Sequence, residues 1–477
     1  MRARRLGVSL VAALAVAPVL GLGVLGAPGL AVAQVGRTWA FDQADAAGGP
    51  VVSGNTVVSG NTVVSGNMAT IPVGQLPSSV AVDSTSGTVW VVNSLDGTVS
   101  EISEARRAVV ATISVGVSPV DVAVDPKTAT VWVTCLGPFG DRGSDDTVSE
   151  VSESSRKVVA TIKVGAAPFG IAADPRTGTV WVADTGSHAV SEISEARRAV
   201  VATIAIGQPG VPVNVAVDPV RGTVWVAQSN GDVEEIGEAT RSVTKSALVS
   251  PGSKPNALNA ISVDTGTGAA WVASDFYNGG SYDGYAAEVT PAARPVTTGV
   301  LVTKPAWYTD VPEGIAVDPA TSTVWVAQDG ANSVTLISAG NRGVARNLGT
   351  GNDPVAVAVD SRTQTAWIVN NADGTVTEYS YAAPQFTTGS QVKLTAGKPA
   401  TIHVHTRGFP ISVMKLGGQL PPGMHGRIGA GTVVISGTPG LAARGHTFMV
   451  TVSADNGIGA AGGQYVFSQQ LVIVVQP

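Results

Sequence analysis

The feature that most constrains the fold of this chain is one short stretch that recurs seven times. Each copy has an Asp, a polar turn and an apolar run in which a Trp follows the Asp by seven residues. The clearest copy runs from Asp174 to Trp181. The tryptophans are Trp90, Trp132, Trp181, Trp225, Trp271, Trp325 and Trp367, and successive ones are 42, 49, 44, 46, 54 and 42 residues apart. A sequence period of this length is typical of proteins built from repeated structural units.

Each repeat is expected to contain four short strands. In the third copy, Val, Ile and Ala-rich runs separated by turn residues predict strands at 169–173, 179–183, 189–193 and 199–204. The segment 190–204, which is identical to 99–113, has a helix-like content of Glu, Ala and Arg. Its flanking β-branched runs favour a hairpin instead. Seven such units predict an all-β fold with a seven-bladed β-propeller over residues 68–381.

The ring needs a closing strand, because an open edge would remain in the seventh unit. That unit reaches Pro384 with only three predicted strands. The segment 69–74 (Ala-Thr-Ile-Pro-Val-Gly) closely matches 111–116 (Ala-Thr-Ile-Ser-Val-Gly) and precedes the first unit. We therefore predict that residues 68–74 supply the missing strand of the last blade.

The first 67 residues have a different character. Residues 1–33 combine three arginines, an apolar run and small residues at the end, which predicts a secretory signal cleaved after Ala33. A membrane anchor is the alternative, although Pro18 and Pro28 make the segment a poor transmembrane helix. Residues 34–67 are a low-complexity lead-in with a hexapeptide repeat from 51 to 67, which is either a spacer or a set of extra β-turns.

The net charge and the cysteine content limit which partners and which disulfide bonds the chain can have. Removing residues 1–33 takes away three positive charges, so the net charge changes from −6 to −9. A mildly acidic chain without a Lys/Arg cluster argues against nucleic acid and anionic membranes as partners. Cys135 is the only cysteine, so no intrachain disulfide can form. We expect a monomer without membrane insertion after signal removal, secreted and either free or attached to the cell surface.

The repeat resembles a known bacterial family. Its pattern, Pro-x-x-Val-Ala-Val-Asp-Pro-x-Thr-Gly-Thr-Val-Trp-Val, resembles the YVTN-type propeller repeat, with Trp where many relatives have Tyr. The resemblance covers residues 68–381 and implies a propeller fold. The Gly-His and Trp-Asp signatures of WD-type repeats are absent from the repeats at 68–381.

The tail, residues 385–477, loses the Trp period. Its Leu-Pro-Pro-Gly at 420–423 and Ser-Gly-Thr-Pro at 436–439 resemble the Ig-like modules of bacterial surface proteins. About seven alternating strands with Gly/Pro turns independently predict a small β-sandwich.

The repeated residues are interpreted as scaffold. A Trp at a fixed place in every blade suits packing between neighbouring sheets, although a ring of aromatic ligands in the channel is an alternative. The repeated Asp is expected to cap its own turn. Seven equivalent copies cannot form one asymmetric catalytic site, so a functional site is sought where the copies differ.

Two asymmetric features mark the predicted channel mouth. The residues at the starts of the innermost strands and the ends of the second strands include three acids, Asp121, Asp184 and Glu313. Their oxygens could hold a hard cation such as Ca²⁺ or Mg²⁺, although a simply hydrated mouth is the alternative. Irregular loops at 136–146, 276–285 and 304–311 bring aromatic side chains to the same face, where they either bind a ligand or pack on their own loops. The aromatic candidates are Phe139, Phe276, Tyr277, Tyr282, Trp307 and Tyr308.

Three functions follow from these patterns. The leading hypothesis is a secreted non-catalytic binding or scaffold protein that presents propeller loops, with Asp121 and Glu313, to an extracellular glycan, protein or other ligand. The repeat style also resembles that of streptogramin lyases, which implies a metal-dependent lyase or lactonase-like enzyme at the channel mouth. That family uses histidines and a Glu around a metal, whereas the propeller here has only His188. The pair His403 and His405 either binds metal or lies on the wet face of a strand. A structural cell-surface component is the third hypothesis.

Overall fold

The architecture is described from a computed structural model. It describes residues 56–59, 62–65, 68–138, 146–249, 257–277, 282–290, 299–302, 311–340, 342–459 and 466–477, with the backbone alone at 56–59, 62–65, 276–277 and 282. The predicted signal and the first part of the lead-in lie outside these residues. Within them, no helix is long and apolar enough to cross a bilayer.

Seven four-stranded antiparallel sheets follow one another through the described part of residues 68–380. Blade 1 consists of Pro77–Asp83, Thr88–Asn93, Thr98–Ser103 and Ala108–Ser114. Blade 2 consists of Pro119–Asp125, Thr130–Cys135, Thr147–Ser152 and Lys157–Lys163. Blade 3 consists of Pro168–Asp174, Thr179–Asp184, Ala189–Ser194 and Ala199–Ala205. Blade 4 consists of Pro212–Asp218, Thr223–Gln228, Asp232–Gly237 and Ser242–Leu248. A short 3₁₀ helix, Thr185–Ser187, follows the second strand of blade 3.

The last three blades are less regular. Blade 5 has two long central strands and a fourth strand of two residues; its strands are Ala257–Asp264, Ala269–Tyr277, Tyr282–Val289 and Val300–Leu301. Blade 6 consists of Val311–Asp318, Thr323–Asp329, Ser333–Ser338 and Gly343–Gly349. Blade 7 consists of Pro354–Asp360, Thr365–Asn370, Thr375–Ser380 and, from the start of the chain, Met68–Pro72.

These sheets confirm the predicted all-β propeller. In blade 3 the observed strands differ from the predicted ones by at most one residue at each end. The Glu/Ala/Arg-rich segment of that blade is a hairpin, with Val190 opposite Ile204 and Ser194 opposite Ala199. The helix-forming composition of this segment is overridden because its β-branched residues pair across the sheet and its apolar face is buried.

The repeated Asp stabilises the turn that joins the first and second strands, as expected. In blade 3, Asp174 Oδ1 accepts a hydrogen bond of 2.7 Å from the backbone N–H of Arg176, two residues later. The same bond occurs in every blade. An Asp side chain that mimics a backbone turn in this way fixes the tight connection between two strands.

The tryptophans lie between neighbouring blades. Trp90 belongs to a core cluster with Val122, Val131 and Val133 of blade 2. The same arrangement repeats around the ring and ends with Trp367 of blade 7 against Val80, Val89 and Val91 of blade 1. All seven side chains are at most 3% exposed. Replacing such a buried ring by Ala typically costs about 3–5 kcal/mol, so these wedges are a major source of ring stability.

Ion pairs join the blades outside this core. Arg156 in blade 2 lies 2.7 Å from Glu101 in blade 1, and Arg198 in blade 3 lies 2.7 Å from Glu150 in blade 2. Three more pairs repeat the pattern, Arg241–Glu192, Arg342–Glu288 and Arg107–Glu378. Each Glu is largely buried while each Arg is about half exposed, so the arginines shield carboxylates that burial would otherwise destabilise.

The start of the chain closes the ring. Met68–Pro72 pairs antiparallel with Thr375–Ser380, with Ile71 opposite Val376. Ile71 is 3% exposed and packs in the cluster that joins blade 7 to blade 1. Upstream, Thr56–Ser59 and Thr62–Ser65 of the hexapeptide repeat form a two-stranded hairpin.

The tail contains two four-stranded sheets that share one core. One sheet has the strand order Ala382–Phe386, Ala400–Phe409, Thr432–Gly437, Met424–Gly429. The other has the order Gln391–Thr395, Phe467–Gln476, Thr447–Asp455, Val413–Gly418. A 3₁₀ helix, Leu441–Ala443, is the remaining described element. Eight described strands therefore replace the roughly seven predicted, and the first begins at Ala382 rather than near residue 385. His403 and His405 are exposed while Ile402 and Val404 are buried, which confirms the wet-face interpretation.

The sandwich packs directly on blades 6 and 7, and Tyr381 is a central part of this contact. Tyr381 is 2% exposed, its ring lies 5.1 Å from that of Trp325, and its hydroxyl donates a 2.8 Å hydrogen bond to Asp318. Asp318 and Trp325 are the blade 6 copies of the repeated pair. Burial, followed by the nearby Asp318 carboxylate, raises the pKa of Tyr381, so the phenol stays protonated and keeps donating.

Further contacts fix the sandwich in place. Phe409 of the sandwich stacks on Tyr379 of blade 7 with ring centroids 5.7 Å apart. Arg346 of blade 6 donates a 3.0 Å hydrogen bond to the carbonyl of Ile411. Gly457 packs so tightly on blade 6 that a Cβ there would lie 2.3 Å from the Cβ of Ala345. Propeller and sandwich thus share a buried interface rather than a loose tether.

Candidate functional site

A cavity of about 350 Å³ occupies one mouth of the central channel. All seven blades contribute to it through the beginnings of their first strands, with Ser79, Asp121, Ile171, Asn214, Ala260, Gly314 and Ala356. The strands crowd together here: a Cβ at Gly314 would lie 2.7 Å from the Cα of Ala356. This volume is in the range of small-ligand pockets, and it suits one side chain or a small molecule.

Asp121 lies in this cavity, and its carboxylate joins three blades. Oδ1 accepts hydrogen bonds from the hydroxyl of Ser79 in blade 1 (2.5 Å) and from the N–H of Val122 (2.9 Å). Oδ2 accepts one from the N–H of Ile171 in blade 3 (2.9 Å). Burial raises the pKa of Asp121, while these three donors act in the opposite direction. Asp121 therefore organises the channel wall by joining three blades.

Glu313 of blade 6 is the second acidic residue that lines the cavity. Blades 2 and 6 are separated by two blades in one direction and by three in the other, so the two acids belong to opposite parts of the ring. No Lys, Arg or His is among the described residues that line the cavity. The described lining of the mouth therefore combines apolar side chains with Ser, Asn and two acidic residues.

The third acidic candidate has a different environment. Asp184 does not line the cavity; it is fully buried in blade 3 and accepts a 2.5 Å hydrogen bond from Ser191. The equivalent residues Asn93 and Asn370 are also buried, and each bonds to a glycine N–H in the incoming loop and to hydroxyls of the third strand. The ends of the second strands are covered by these loops, so this part of the predicted mouth is internal.

One side of the mouth is apolar and partly exposed. We call this surface the apolar lip; it consists of Leu76, Leu95, Leu136 and Phe169 from blades 1 to 3. Leu95 is 64% exposed and Leu76 is 40% exposed. Exposed leucines at a pocket rim are a frequent mark of a binding surface, because their burial by a ligand is favourable.

Leu76 carries backbone strain. Its φ is +47°, a conformation that bulky residues rarely adopt. Ser118, Ala167 and Asp353 hold the equivalent loop position in other blades with φ between +50° and +53°. The repeat geometry thus imposes a left-handed residue, and Leu is the least suited of the four to supply it. Strain of this kind concentrates at functional positions.

The sequence contains a signal for the lip that aromatic content alone does not reveal. Aligning the copies puts Leu95 opposite Ala372 and Leu76 opposite Asp353. A search for apolar residues at positions where other copies are small or polar would have selected both. The prediction instead followed the aromatic loops.

The aromatic candidates lie largely beyond what the structure describes. Phe139, Trp307 and Tyr308 fall outside the described residues. The backbones of Phe276, Tyr277 and Tyr282 belong to strands, with Tyr277 opposite Tyr282, so the predicted loop 276–285 is wrong in its bounds. Aromatic residues favour strands and prolong the central hairpin of blade 5, leaving only residues 278–281 between the strands.

Among the described residues, no cluster of three or more His, Cys, Asp or Glu side chains is suited to a metal. His188 lies in the blade 3 turn, with Nδ1 3.2 Å from the carbonyl of Gly210. A second cavity of about 550 Å³ lies between blades 3 and 4 near the opposite end of the strands. Its charged groups pair with one another, as in Arg176–Glu238 and Arg241–Glu192, which leaves the channel mouth as the better ligand site.

The far end of the blades holds carboxyl pairs. Burial and, after it, the Asp83 carboxylate of the preceding blade raise the pKa of Glu153 to about 7. Burial and Asp125 raise the pKa of Glu195 to about 8, and burial and Asp174 raise that of Glu238 to about 7. Because these pKa values exceed those of an unfolded Glu, the pairs favour the fold when protonated, and their contribution falls as the pH rises toward 8.

Asp184 provides the sharpest test of this pH dependence. Burial raises its pKa to about 7. Its protonated form stabilises the fold fully below the unfolded pKa near ~4, and that stabilisation is lost as the pH rises through about 7. Asp184→Asn, which installs the residue of blades 1 and 7, should raise the unfolding free energy by about 2–4 kcal/mol at pH 8 and by little at pH 4. Urea unfolding at both pH values measures the difference. An equal effect at both would show that Asp184 is ionised in the fold.

Comparisons with known proteins were informative only at the level of fold. No family model and no curated protein matches the chain. Hydrazine synthase of Kuenenia stuttgartiensis is structurally similar, with a TM-score of 0.54 and 19% identity over 64% of this chain and 96% of that one. The β-propeller domain of Swd1 from Myceliophteria thermophila has a TM-score of 0.51 and 11% identity over 66% of this chain and all of that one. Likeness at such identities shows the propeller fold. It carries no function across.

Proposed function

We propose that this protein is a non-catalytic binding protein whose channel mouth takes up an apolar segment of a protein partner. The observation that carries the proposal is the apolar lip beside the cavity, with Leu76 held in an unfavourable backbone conformation. Three of the four lip residues are leucines rather than the flat aromatic side chains that sugars stack on, which favours a peptide over a glycan.

The surrounding scaffold suits such a role. Seven blades joined by buried tryptophans and ion pairs hold the lip in one geometry. A preformed site loses less conformational entropy on binding than a flexible one. Asp121 has its carboxylate engaged by Ser79, Val122 and Ile171, so it acts as part of the wall rather than as a reacting group.

The same proposal includes the repeat family of the propeller, the type of module in the tail and the location of the protein. The repeat pattern supports membership of the YVTN-type group, and the tail motifs support an Ig-like module that presents the propeller at a distance from its attachment point. The arginine-led apolar segment 1–33 supports secretion, with the mature protein outside the cell or on its surface.

The test uses a neutral fluorescent probe, a dansyl sulfonamide carrying a five-carbon chain that ends in a hydroxyl. We expect saturable binding to the full chain. Leu76→Asn should weaken it about fivefold to tenfold by removing an apolar contact, while stabilising the fold by about 1 kcal/mol because Asn tolerates a positive φ. Unfolding cannot account for lost affinity in a variant that is more stable.

The matched control is Asp353→Asn, the equivalent position in blade 7, where probe affinity should not change. Leu95→Ser should weaken binding like Leu76→Asn. Equal affinity of all variants, or no saturable binding by the full chain, would refute the proposed function.

A further inference from the structure

We propose that the sandwich binds a linear anionic polysaccharide along one face of the sheet that contains Ala400–Phe409, and that this contact attaches the propeller to a surface that carries the polymer. The inference goes beyond the proposed function, because it concerns the tail and does not depend on what the channel mouth binds. It is carried by the unequal distribution of charge between the two parts of the chain and by the positions of the basic side chains on this sheet.

The first step concerns the charge of each part. The propeller at 68–381 has 32 Asp and Glu against 19 Lys and Arg, whereas the sandwich at 382–477 has six Lys and Arg against one Asp. The net charge of the whole chain, −6, conceals this division. The single acid, Asp455, lies near the contact with blade 6, where its Oδ1 accepts a 2.9 Å hydrogen bond from the N–H of Gly457. An anionic partner is therefore repelled by the propeller and attracted by the sandwich.

The second step concerns the basic side chains of the sandwich, which are exposed. All six of its Lys and Arg and all four of its His are exposed. None of these ten side chains forms an ion pair with a described residue. In the propeller, by contrast, arginines such as Arg156, Arg198 and Arg241 each lie within 3 Å of a Glu. The positive groups of the sandwich are thus available to an external anion.

The third step concerns one sheet face on which five of these side chains gather. We call this surface the basic face; it consists of His403, His405 and Arg407 on Ala400–Phe409 and of His425 and Arg427 on Met424–Gly429. His403 and Arg427 both lie opposite Val434 of the strand between them, so they share the outer side of the sheet. None of the four strands that form this sheet contains an Asp or a Glu. Two arginines and three histidines therefore lie on one surface without an acid beside them in the sheet.

The spacing of these groups suits an extended polymer. Side chains on one face of a strand recur every ~6.8 Å, and alternate strands of a sheet lie about 10 Å apart. The rings of His403 and His405 are nearly parallel, with centroids 5.7 Å apart. Arginine binds a carboxylate through two hydrogen bonds, and an imidazole N–H donates one more. A chain of regularly spaced anions contacts several of these groups at once, which offsets the small contribution of each exposed ion pair.

Other polyanions fit the basic face less well. Single-stranded nucleic acids stack their bases on exposed aromatic rings, and no described Phe or Tyr of the sandwich is exposed. Duplex DNA is read by an element that enters a groove, whereas the basic face is the surface of a sheet. Anionic bilayers favour basic residues beside apolar groups that insert, but the exposed Leu441 and Met449 lie outside this sheet. A polysaccharide whose anions supply the contacts needs neither an aromatic ring nor an apolar wedge.

Two polymers with one backbone test the inference. Fluorescently labelled polygalacturonate carries a carboxylate on every sugar, and its methyl ester has the same backbone without the charges. We expect saturable binding of polygalacturonate to the full chain, and binding of the methyl ester that is weaker by about tenfold or more. The affinity for polygalacturonate should fall as NaCl is raised, because salt screens the attraction between exposed charges.

A matched pair of double variants locates the contact. Arg407→Gln with Arg427→Gln removes two charges from the basic face and should weaken polygalacturonate binding about tenfold. Lys393→Gln with Lys415→Gln removes two charges from the other sheet of the sandwich and should weaken it less than about twofold, because that sheet lies beyond the screening length at physiological salt. If the loss of the Arg407 bond to Gln385 prevents folding, Arg427→Gln alone, compared with Lys415→Gln, replaces the two double variants.

The outcomes separate this inference from the proposed function. Equal affinity for the polymer and its methyl ester, or an equal loss in the two double variants, would overturn the inference. Tighter binding of duplex DNA or of phosphatidylglycerol vesicles than of polygalacturonate would overturn the choice of a polysaccharide. The neutral dansyl probe should bind both double variants as it binds the parent chain, so the channel-mouth proposal stands or falls separately.

Discussion

A chain that begins at Leu76 is expected to lose the cooperative unfolding transition of the propeller, whereas a chain that begins at Met68 keeps it. The shorter chain lacks Met68–Pro72, so the third strand of blade 7 becomes an open edge. It also loses Ile71 from the cluster that contains Trp367 and Val80. Loss of one buried Ile costs about 2–5 kcal/mol, and each lost hydrogen bond adds about 1 kcal/mol.

The total approaches the whole stability of a typical domain, about 5–15 kcal/mol. Thermal unfolding followed by circular dichroism compares the two chains, and a synthetic peptide of residues 66–75 should restore the transition of the shorter one. Ile71→Asp should mimic the truncation, and Thr70→Asp, at an exposed position of the same strand, should not. An unchanged melting temperature in the chain that begins at Leu76 would exclude closure by this strand.

Replacement of Tyr381 by Ala is expected to destabilise the propeller by about 3–5 kcal/mol, the usual cost of deleting a buried aromatic side chain. The reason lies in the repeat. Tyr381 N–H bonds to the carbonyl of Gln364, as the N–H of Glu104 does to Gly87 and that of Glu153 does to Ala129. Tyr381 thus occupies the repeat position that Glu holds in blades 1 to 4.

At that position the side chain meets the repeated Asp of the preceding blade. Glu153 faces Asp83, and Tyr381 donates to Asp318. The Tyr also begins the sandwich, so one residue completes the blade 6–7 junction and attaches the tail. Tyr381→Phe should cost about 1–3 kcal/mol, because the buried Asp318 loses a donor.

Urea unfolding measures both variants, and Tyr381→Glu is the matched control. Tyr381→Glu installs the residue that blades 1 to 4 have at this position. The stability of this variant should increase as the pH falls from 8 to 5, because the introduced carboxyl and that of Asp318 can then share a proton. A Tyr381→Glu variant whose stability does not change with pH would contradict the assigned role. A Tyr381→Ala variant as stable as the parent chain would contradict it as well.

Much of the fold could be predicted because its determinants are local and repeated. Asp174, its turn and Trp181 lie within eight consecutive residues, and each part acts on its neighbours in sequence: the Asp carboxylate on the turn, the β-branched run on the strand. Seven copies at a similar period then leave few architectures besides a ring of blades. The sequence did not predict the extended hairpin of blade 5, because aromatic residues such as Phe276 are common both in binding loops and in strands.

The candidate site was harder to predict, because its parts are distant in sequence. Asp121 and Asp184 are acids at comparable strand ends, and no local pattern separates them. The structure does: Asp121 lies on a first strand that faces the channel, whereas the incoming loop covers Asp184. Their different surroundings come from that loop, which belongs to the neighbouring blade.

The sequence by itself determined the repeat, the all-β class, the number of blades and the turn chemistry, since these depend on contacts between residues close along the chain. Only the tertiary structure decided that Leu76, Leu95, Leu136 and Phe169 meet at one lip, and that Tyr381 takes the place of a repeat Glu beneath the sandwich. Burial and electrostatic environment are set by whichever segments pack together, and for these residues the segments come from different blades and from the tail.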